Sequence, residues 1–166
     1  SGVLDYPIAE NRYIANKKRV SPTGKEAITH YKVIERLKKN LNVCSVLLKT
    51  GRTHQIRVHF SYTGHPLVGD GLYNGNVILM KRQALHSYEV DFIHPIKNVR
   101  INVKCPIPTD MQQIIDKYRK TNDIFRICTF NIESEPGRGS RFYFRLPKGI
   151  RKILMLILIS TLSLLS

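Results

Sequence analysis

Residues 51–59 read Gly-Arg-Thr-His-Gln-Ile-Arg-Val-His, and the chain changes here from strand-like to helix-like periodicity. Thr53 is a residue type that caps helix N-termini, and Gly64 is one that commonly follows a helix end. Ile56 and Phe60 lie one helical turn apart, so both would face a core. We therefore predict a helix that begins after Thr53 and ends at Gly64.

Strand-like segments lie on both sides of this helix. Residues 26–35 and 43–49 have strand-like sequences, and the polar connector between them is typical of a hairpin. Residues 85–92 and 99–104 alternate between apolar and polar side chains and are predicted to be two further strands. Residues 65–80, which contain Pro66 and three glycines, are predicted to form a loop.

The segments that precede and follow these strands are predicted to differ in structure. Residues 1–24 contain Pro7 and a Ser-Pro-Thr-Gly turn signal, so we predict an irregular entry. Thr109 and Gln112 have the spacing of a capping box that opens a helix. The apolar face of that helix would consist of Met111, Ile114, Ile115 and Tyr118.

The charge of the chain favours a polyanionic partner. Lys and Arg number 27 and Asp and Glu 12, giving a net charge of +15. Residues 1–120 hold 20 of the basic and 9 of the acidic residues, a net +11. Such an excess is typical of proteins that bind nucleic acid or an anionic membrane surface. A generally basic proteome would give the same composition.

The cysteines exclude a disulfide framework. Cys44, Cys105 and Cys128 are odd in number and lack the Cys-x-x-Cys spacing of zinc and redox motifs. This pattern indicates a reducing, cytosolic compartment.

The start of the predicted helix can bind an anion or orient an acid. Backbone N–H groups at a helix N-terminus attract phosphates and carboxylates. Arg52 and Arg57 would add planar, permanently charged donors. A capped and solvated helix start with incidental arginines is the alternative that local chemistry leaves open.

Several motifs in this order resemble RluA/RluD-type pseudouridine synthases, and the resemblance covers about residues 1–120. The motifs are Gly-Lys-Glu-Ala at 24–27 with Thr-His-Tyr at 29–31, Gly-Arg-Thr-His-Gln-Ile-Arg-Val-His at 51–59, Gly-His-Pro-Leu-Val-Gly-Asp at 64–70 with Tyr73, Arg-Gln-Ala-Leu-His at 82–86, Phe-Ile-His-Pro at 92–95, and Pro-Ile-Pro at 106–108 with Asp110 and Met111.

This resemblance implies a fold and an activity. The fold would be α+β, with a mixed, mainly antiparallel sheet and flanking helices. The activity would be isomerisation of a uridine in ribosomal or transfer RNA to pseudouridine, in the cytoplasm and without metal or organic cofactor. The target base would be flipped out of its stack into a pocket.

The resemblance also implies roles for individual residues. By its position in the motif, Arg57 would pair with the catalytic aspartate and hold it ionised and oriented. The residues expected to bind RNA are Arg52, Thr53, His54, Gln55, Arg82 and His86. Five histidines, at 54, 59, 65, 86 and 94, are expected to be structural or to contact RNA rather than to bind a metal, since His54 and His59 are five residues apart.

One departure from the family is serious. The family's aspartate lies in an upstream His-Arg-Leu-Asp motif, and this motif and the active-site tyrosine do not occur in these 166 residues. We therefore expect the chain to be the C-terminal half of a synthase catalytic domain that is inactive alone. Asp70 follows a glycine in a tight loop, where we expect it to cap a turn rather than act in catalysis.

Composition changes after Lys120. Residues 126–147, with strand candidates at 126–132 and 141–146, resemble the last hairpin of sensor histidine kinase ATPase domains, and we interpret them as a remnant or fusion. The uncharged apolar run at 153–166 reaches about 21 Å as a helix, short of the roughly 30 Å membrane core. A shallow anchor, a buried strand or helix, or a junction without a role remain open.

The sequence thus divides into 1–120, 121–149 and 150–166. We expect deletion of 150–166 to improve solubility, because an uncharged apolar run is an aggregation hazard. Two alternatives to the synthase are a non-catalytic RNA-binding module and a membrane-tethered signalling fragment with a kinase-derived tail.

Overall fold

The computed structural model describes residues 1–120 and 150–160. The strands are β1 Gly2–Asp5, β2 Ile8–Glu10, β3 Lys18–Val20, β4 Ile28–Arg36, β5 Leu41–Leu48, β6 Leu85–Ile93, β7 Arg100–Lys104 and β8 Ile150–Ser160. The helices are α1 Gln55–Tyr62 and α2 Thr109–Tyr118, and a short 3₁₀ helix spans Gly71–Tyr73. This mainly antiparallel sheet with two helices agrees with the expected α+β class.

Six strands form one sheet in the order β1-β4-β5-β8-β6-β7, and every described neighbour pair is antiparallel. The hairpin predicted from residues 26–35 and 43–49 is confirmed as β4 and β5, and Thr29, Tyr31 and Val33 share the inward face of β4. The strands predicted at 85–92 and 99–104 are confirmed as β6 and β7, which pair directly.

The apolar run near the end of the chain supplies the strand at the centre of this sheet. β8 pairs with β5 on one side and β6 on the other. Ile157 packs into a core cluster with Phe60, whereas Leu158 joins a second cluster with Met111. Both faces of the strand are buried over residues 155–159, which explains why this part of its sequence is continuously apolar rather than alternating.

This placement selects one of the alternatives left open for the run, a buried strand. It also removes the reason for expecting that deletion of residues 150–166 improves solubility, because the deletion would open the sheet between β5 and β6. No helix within the described ranges is long and apolar enough to cross a membrane. The proposed boundary between 121–149 and its neighbours stays a prediction.

Helix α1 has the predicted core face but a different start. Ile56 and Phe60 are buried, and Gly64 follows the helix with a φ of 78°, as expected of a residue after a helix end. The prediction that Thr53 caps the helix is wrong. His54 occupies the N-cap position in the left-handed conformation without a side-chain cap, and the Gln55 side chain accepts the Arg52 N–H instead.

Helix α2 likewise has the predicted core face but not the predicted cap. Its buried residues are those predicted, namely Met111, Ile114, Ile115 and Tyr118. The capping box of Thr109 and Gln112 is wrong, because the N-cap is Pro108, and the first-turn N–H of Met111 is accepted by the Asp110 carboxylate instead. Gln112 bonds the Asp116 carboxylate through its side chain.

The entry segment is more regular than predicted. Residues 1–24 contain β1, which is an edge strand of the sheet and pairs with β4. They also contain the two-stranded hairpin of β2 and β3. The prediction of an irregular entry is therefore wrong, because short strands of this kind are defined by their partners rather than by local periodicity. The strand candidates at 126–132 and 141–146 and the kinase-like stretch lie outside the described residues.

Candidate active site

A buried ion pair joins the helix α1 to the loop that follows it. Arg57 donates from Nε and Nη2 to the two carboxylate oxygens of Asp70, at 2.7 and 2.8 Å. The Asp70 side chain is 1% exposed and that of Arg57 is 14% exposed. Two parallel charge-assisted hydrogen bonds fix both the position and the plane of the guanidinium.

Tyr73 forms one wall of this pair. Its ring centroid lies 4.8 Å from the Arg57 guanidinium carbon, a cation–π distance. The Tyr73 hydroxyl accepts the Lys18 N–H at 2.8 Å and lies 3.0 Å from His54 Nδ1. Burial raises the pKa of Tyr73 above its ordinary value, so the phenol keeps its proton.

His54 completes the cluster as a neutral imidazole. Burial, and then the charge of Arg57, lower the pKa of His54 below its ordinary value. Since the Tyr73 hydroxyl already accepts a bond from Lys18, its own proton is available for Nδ1 of His54. That assignment places the imidazole proton on Nε2, where the ring can donate a hydrogen bond.

Glycines make the loop that carries Asp70. Gly69 has a φ of 78°, and a side chain there would overlap the carbonyl oxygen of Arg82. A side chain at Gly75 would overlap the carbonyl oxygen of Leu67. The Asp70 carbonyl accepts N–H bonds from Tyr73 and Gly75, so the backbone that carries the carboxylate is fixed in the turn.

A polar network anchors the other side of α1. The Gln55 amide donates to the Ile28 carbonyl and to the Thr29 hydroxyl, and its oxygen accepts from Thr50 and Arg52. Gln55 is 2% exposed and has no amide group left for a ligand. In this structure Gln55 fixes α1 to β4, and its expected role in RNA binding stays a prediction.

His59 continues this network and has a structural role. It is fully buried, with Nδ1 3.0 Å from the Thr29 hydroxyl and Nε2 2.9 Å from the Tyr6 carbonyl. Since a carbonyl only accepts, Nε2 carries the proton and Nδ1 accepts from Thr29. Burial lowers the pKa of His59, which keeps the ring neutral.

The remaining residues expected to bind RNA lie in different surroundings. Thr53 is exposed, and exposed Arg52 donates from Nε to the Glu26 carbonyl. Arg82 forms a bidentate, solvent-exposed ion pair with Asp110, and His86 Nε2 lies 3.1 Å from the Cys105 carbonyl. The structure therefore groups His54 with Arg57 and places the Arg82 guanidinium against α2.

Sequence reasoning missed the role of Asp70. The prediction that it caps a turn is wrong, because its side chain makes no cap and both oxygens bind Arg57. The available signal was its place in the motif at 64–70, thirteen residues after an arginine of the neighbouring motif. Tyr73 was part of that resemblance without a role, and its contact with Arg57 supplies one.

The described residues contain few other candidates for chemistry. Burial raises the pKa of the Cys44 thiol to about 12, so Cys44 is a core side chain rather than a nucleophile. Within residues 1–120 and 154–160, no three His, Cys, Asp or Glu side chains converge as a metal site requires. The expectation of a reaction without metal or cofactor remains a prediction.

Comparison with known proteins identifies the family. A family model described as RNA pseudouridylate synthase matches residues 1–62. The chain is 44% identical over 118 residues to the uncharacterized RNA pseudouridine synthase YhcT of Bacillus subtilis, covering 70% of this chain and 39% of that protein. It is 42% identical over 114 residues to the uncharacterized RNA pseudouridine synthase YjbO of the same organism, covering 69% and 40%.

A relative with a more specific name is also found. The chain is 38% identical over 123 residues to the ribosomal large subunit pseudouridine synthase D of Xylella fastidiosa, covering 66% of this chain and 37% of that protein. The chain thus spans about 40% of the length of the curated relatives that it matches. Neither the family match nor these relatives support the kinase-like reading of 126–147. By its motifs and its relatives, this chain belongs to the RluA/RluD-type family of RNA pseudouridine synthases.

Proposed function

We propose that this chain contributes the arginine side of a pseudouridine synthase active site, with Arg57 as the partner of a catalytic aspartate carried on residues outside this sequence. The observation that carries the proposal is the geometry of the Arg57 guanidinium. Asp70 uses Nε and one N–H of Nη2. The other N–H groups, two on Nη1 and one on Nη2, make no hydrogen bond within the described residues.

The unused end of the guanidinium suits a second carboxylate. Nη1 and Nη2 present a fork of two parallel N–H groups, the same arrangement that binds Asp70 from the side. Asp70 and Tyr73 hold this fork in place before the second carboxylate arrives. A carboxylate bound there would be kept ionised and fixed in direction, as a group that attacks or deprotonates a substrate requires.

The proposed reaction is an isomerisation that balances without a cofactor. The bond between N1 of uracil and C1′ of the ribose breaks, and a bond from C5 to C1′ forms. The hydrogen on C5 leaves as a proton, and N1 gains one, so no electron donor or acceptor is consumed. This balance supports the expectation that neither a metal nor an organic cofactor takes part.

The substrate we propose is structured RNA. Residues 1–120 carry a net charge of +11, and exposed Arg52 and Thr53 flank the start of α1 next to His54. His54 can donate from Nε2 to an oxygen of the base or phosphate. The name of the Xylella fastidiosa relative favours ribosomal RNA as the substrate class and, with it, a cytoplasmic location.

The experiment that tests this function separates binding from chemistry. The chain alone is expected to bind RNA with an affinity that falls steeply with salt, and to release no hydrogen from C5 of labelled uridine. A fusion that places this chain behind the upstream segment of the Bacillus subtilis relative YhcT is expected to release the C5 hydrogen. RNA binding without release by the fusion would favour the second candidate, a non-catalytic RNA-binding module, which the positive charge also supports.

A further inference from the structure

The hairpin of β2 and β3 presents a tip that the proposed active site does not use. The tip, residues 11–17, reads Asn-Arg-Tyr-Ile-Ala-Asn-Lys. Tyr13 is 95% exposed and Ile14 is 46% exposed. A tyrosine that exposes almost its whole ring to solvent contributes little to the core, so the ring is free to contact a ligand.

The tip is an ordered turn. The Asn11 side-chain oxygen accepts the N–H groups of Tyr13 and Ile14, at 2.9 and 3.0 Å. The backbone closes with bonds from Asn11 N–H to the Lys17 carbonyl and from Lys17 N–H to the Ile14 carbonyl. These bonds fix the backbone from which the Tyr13 side chain projects, which lowers the backbone entropy lost when the tip contacts a ligand.

The hairpin is attached directly to the Arg57 cluster. The Lys18 N–H at the start of β3 donates to the Tyr73 hydroxyl, and the Lys17 ammonium lies 5.5 Å from the Tyr73 ring centroid. Tyr73 carries the Arg57 guanidinium on its ring. Whatever the tip binds is therefore held at a fixed offset from Arg57.

The charge around the tip selects an anionic ligand. Arg12 and Arg19 are exposed and make no ion pair within the described residues, and Lys17 lies between them in sequence. The carboxylate of Glu10 is paired with Lys18. Cations interleaved with an exposed aromatic ring match single-stranded nucleic acid, whose phosphates and base faces they bind at once.

We propose that this tip and the adjoining part of β3 form a second RNA-binding element, in which Tyr13 stacks on a nucleobase beside the flipped uridine while Arg12 and Arg19 bind phosphates. The proposal rests on the proposed function, because RNA is the ligand that it deepens. Extrusion of a base leaves its neighbours without a stacking partner. The exposed Tyr13 ring can take the place of that partner.

The sequence provides a clean reporter for this contact. It contains no tryptophan, so Tyr13→Trp introduces a single indole at the tip of the otherwise unchanged chain. The probes are a short oligouridylate, a fully paired RNA duplex of equal length, and inorganic polyphosphate as a polyanion without bases. We expect saturable quenching of the indole emission by the oligouridylate, weaker quenching by the duplex and none by polyphosphate.

Affinity measurements separate stacking from charge. Tyr13→Ala is expected to weaken oligouridylate binding by about 5- to 100-fold with an unchanged salt slope, and Tyr13→Phe to bind as the original chain does. Arg12→Gln is expected to lower the salt slope by about one ion. The matched control is Ile96→Ala, which removes another exposed apolar side chain, 88% exposed, from a different turn.

Three results would overturn the proposal. The first is equal RNA affinity for Tyr13→Ala and Ile96→Ala, and the second is no RNA binding by the original chain. The third is loss of self-association in Tyr13→Ala with RNA affinity unchanged, which would assign the tip to protein contact. The catalytic proposal is tested separately, by the release of C5 hydrogen from the fusion protein's substrate. Conversely, Tyr13-dependent binding without that release would reject the catalytic proposal alone.

Discussion

The carboxylate of Asp70 is almost fully buried, and both of its oxygens accept hydrogen bonds from the Arg57 guanidinium. The pair joins α1 to the loop at 65–80, and Tyr73 of that loop covers the guanidinium. A paired and oriented arginine at this place, rather than a solvated one, is what the proposed chemistry needs.

Removing the Asp70 carboxylate should leave a partly buried, unpaired charge on Arg57. We expect Asp70→Ala to lower the free energy of unfolding by about 3 kcal/mol, measured by urea denaturation. Asp70→Asn, which keeps the shape, should cost less. The matched control is Asp110→Ala, which breaks the exposed pair with Arg82 and should cost under about 1 kcal/mol. Equal effects of the two alanine variants would contradict the importance of burial.

Two glycines with the same φ allow the loop to be tested. Gly64 and Gly69 both have a φ of 78°, but a side chain at Gly64 meets nothing within 4 Å, whereas one at Gly69 overlaps the Arg82 carbonyl. Gly64→Ala should therefore cost about 1 kcal/mol for backbone strain alone. Gly69→Ala should cost clearly more. Similar unfolding midpoints for the two variants would show that the loop does not pack as described.

Strand β8 should contribute to stability through both of its faces. Ile157 and Leu158 are fully buried in different core clusters. We expect Ile157→Ala and Leu158→Ala each to cost about 2–5 kcal/mol, whereas exposed Ile96→Ala should stay within about 0.5 kcal/mol. Deleting residues 150–166 should make the chain less soluble. A deletion variant that is soluble and cooperatively folded would show that β8 is not part of the stable sheet.

Stability should fall as pH decreases below the ordinary histidine pKa of 6.5. The folded chain lowers the pKa of His54 and His59, so between pH 6.5 and the lowered values the unfolded state binds more protons. The stabilisation is thus complete above pH 6.5 and is lost as pH falls. Urea midpoints measured between pH 7.5 and about 5 should show this slope, and His54→Gln should reduce it. A slope identical in His54→Gln would contradict the lowered pKa of His54.

The spacing of apolar and polar residues predicted the helices and strands whose pattern lies within their own sequence. The β4–β5 hairpin and the buried face of α2 follow from periodicity within a few residues. The caps predicted at Thr53 and Thr109 failed because the folded backbone begins each helix at a neighbouring residue, with His54 at the N-cap of α1 and Pro108 at the N-cap of α2. The pairing of β8 with β5 and β6 has no local signal, and that of Asp70 with Arg57 is indicated only by the order of two motifs. Both depend on contacts that form only when the sheet and loop close.

The most direct test of the proposed role of Arg57 is the rate of C5-hydrogen release from labelled uridine in RNA. The protein to be assayed is the fusion that places this chain behind the upstream segment of the Bacillus subtilis relative YhcT. We expect Arg57→Ala to slow the reaction by about 30-fold or more, the equivalent of about 2–5 kcal/mol, with partial rescue in Arg57→Lys. Arg52→Ala should raise KM and leave kcat near that of the unchanged fusion. A near-normal rate for Arg57→Ala, or release by the 166-residue chain alone, would contradict the assignment of Arg57 as the partner of an aspartate outside this sequence.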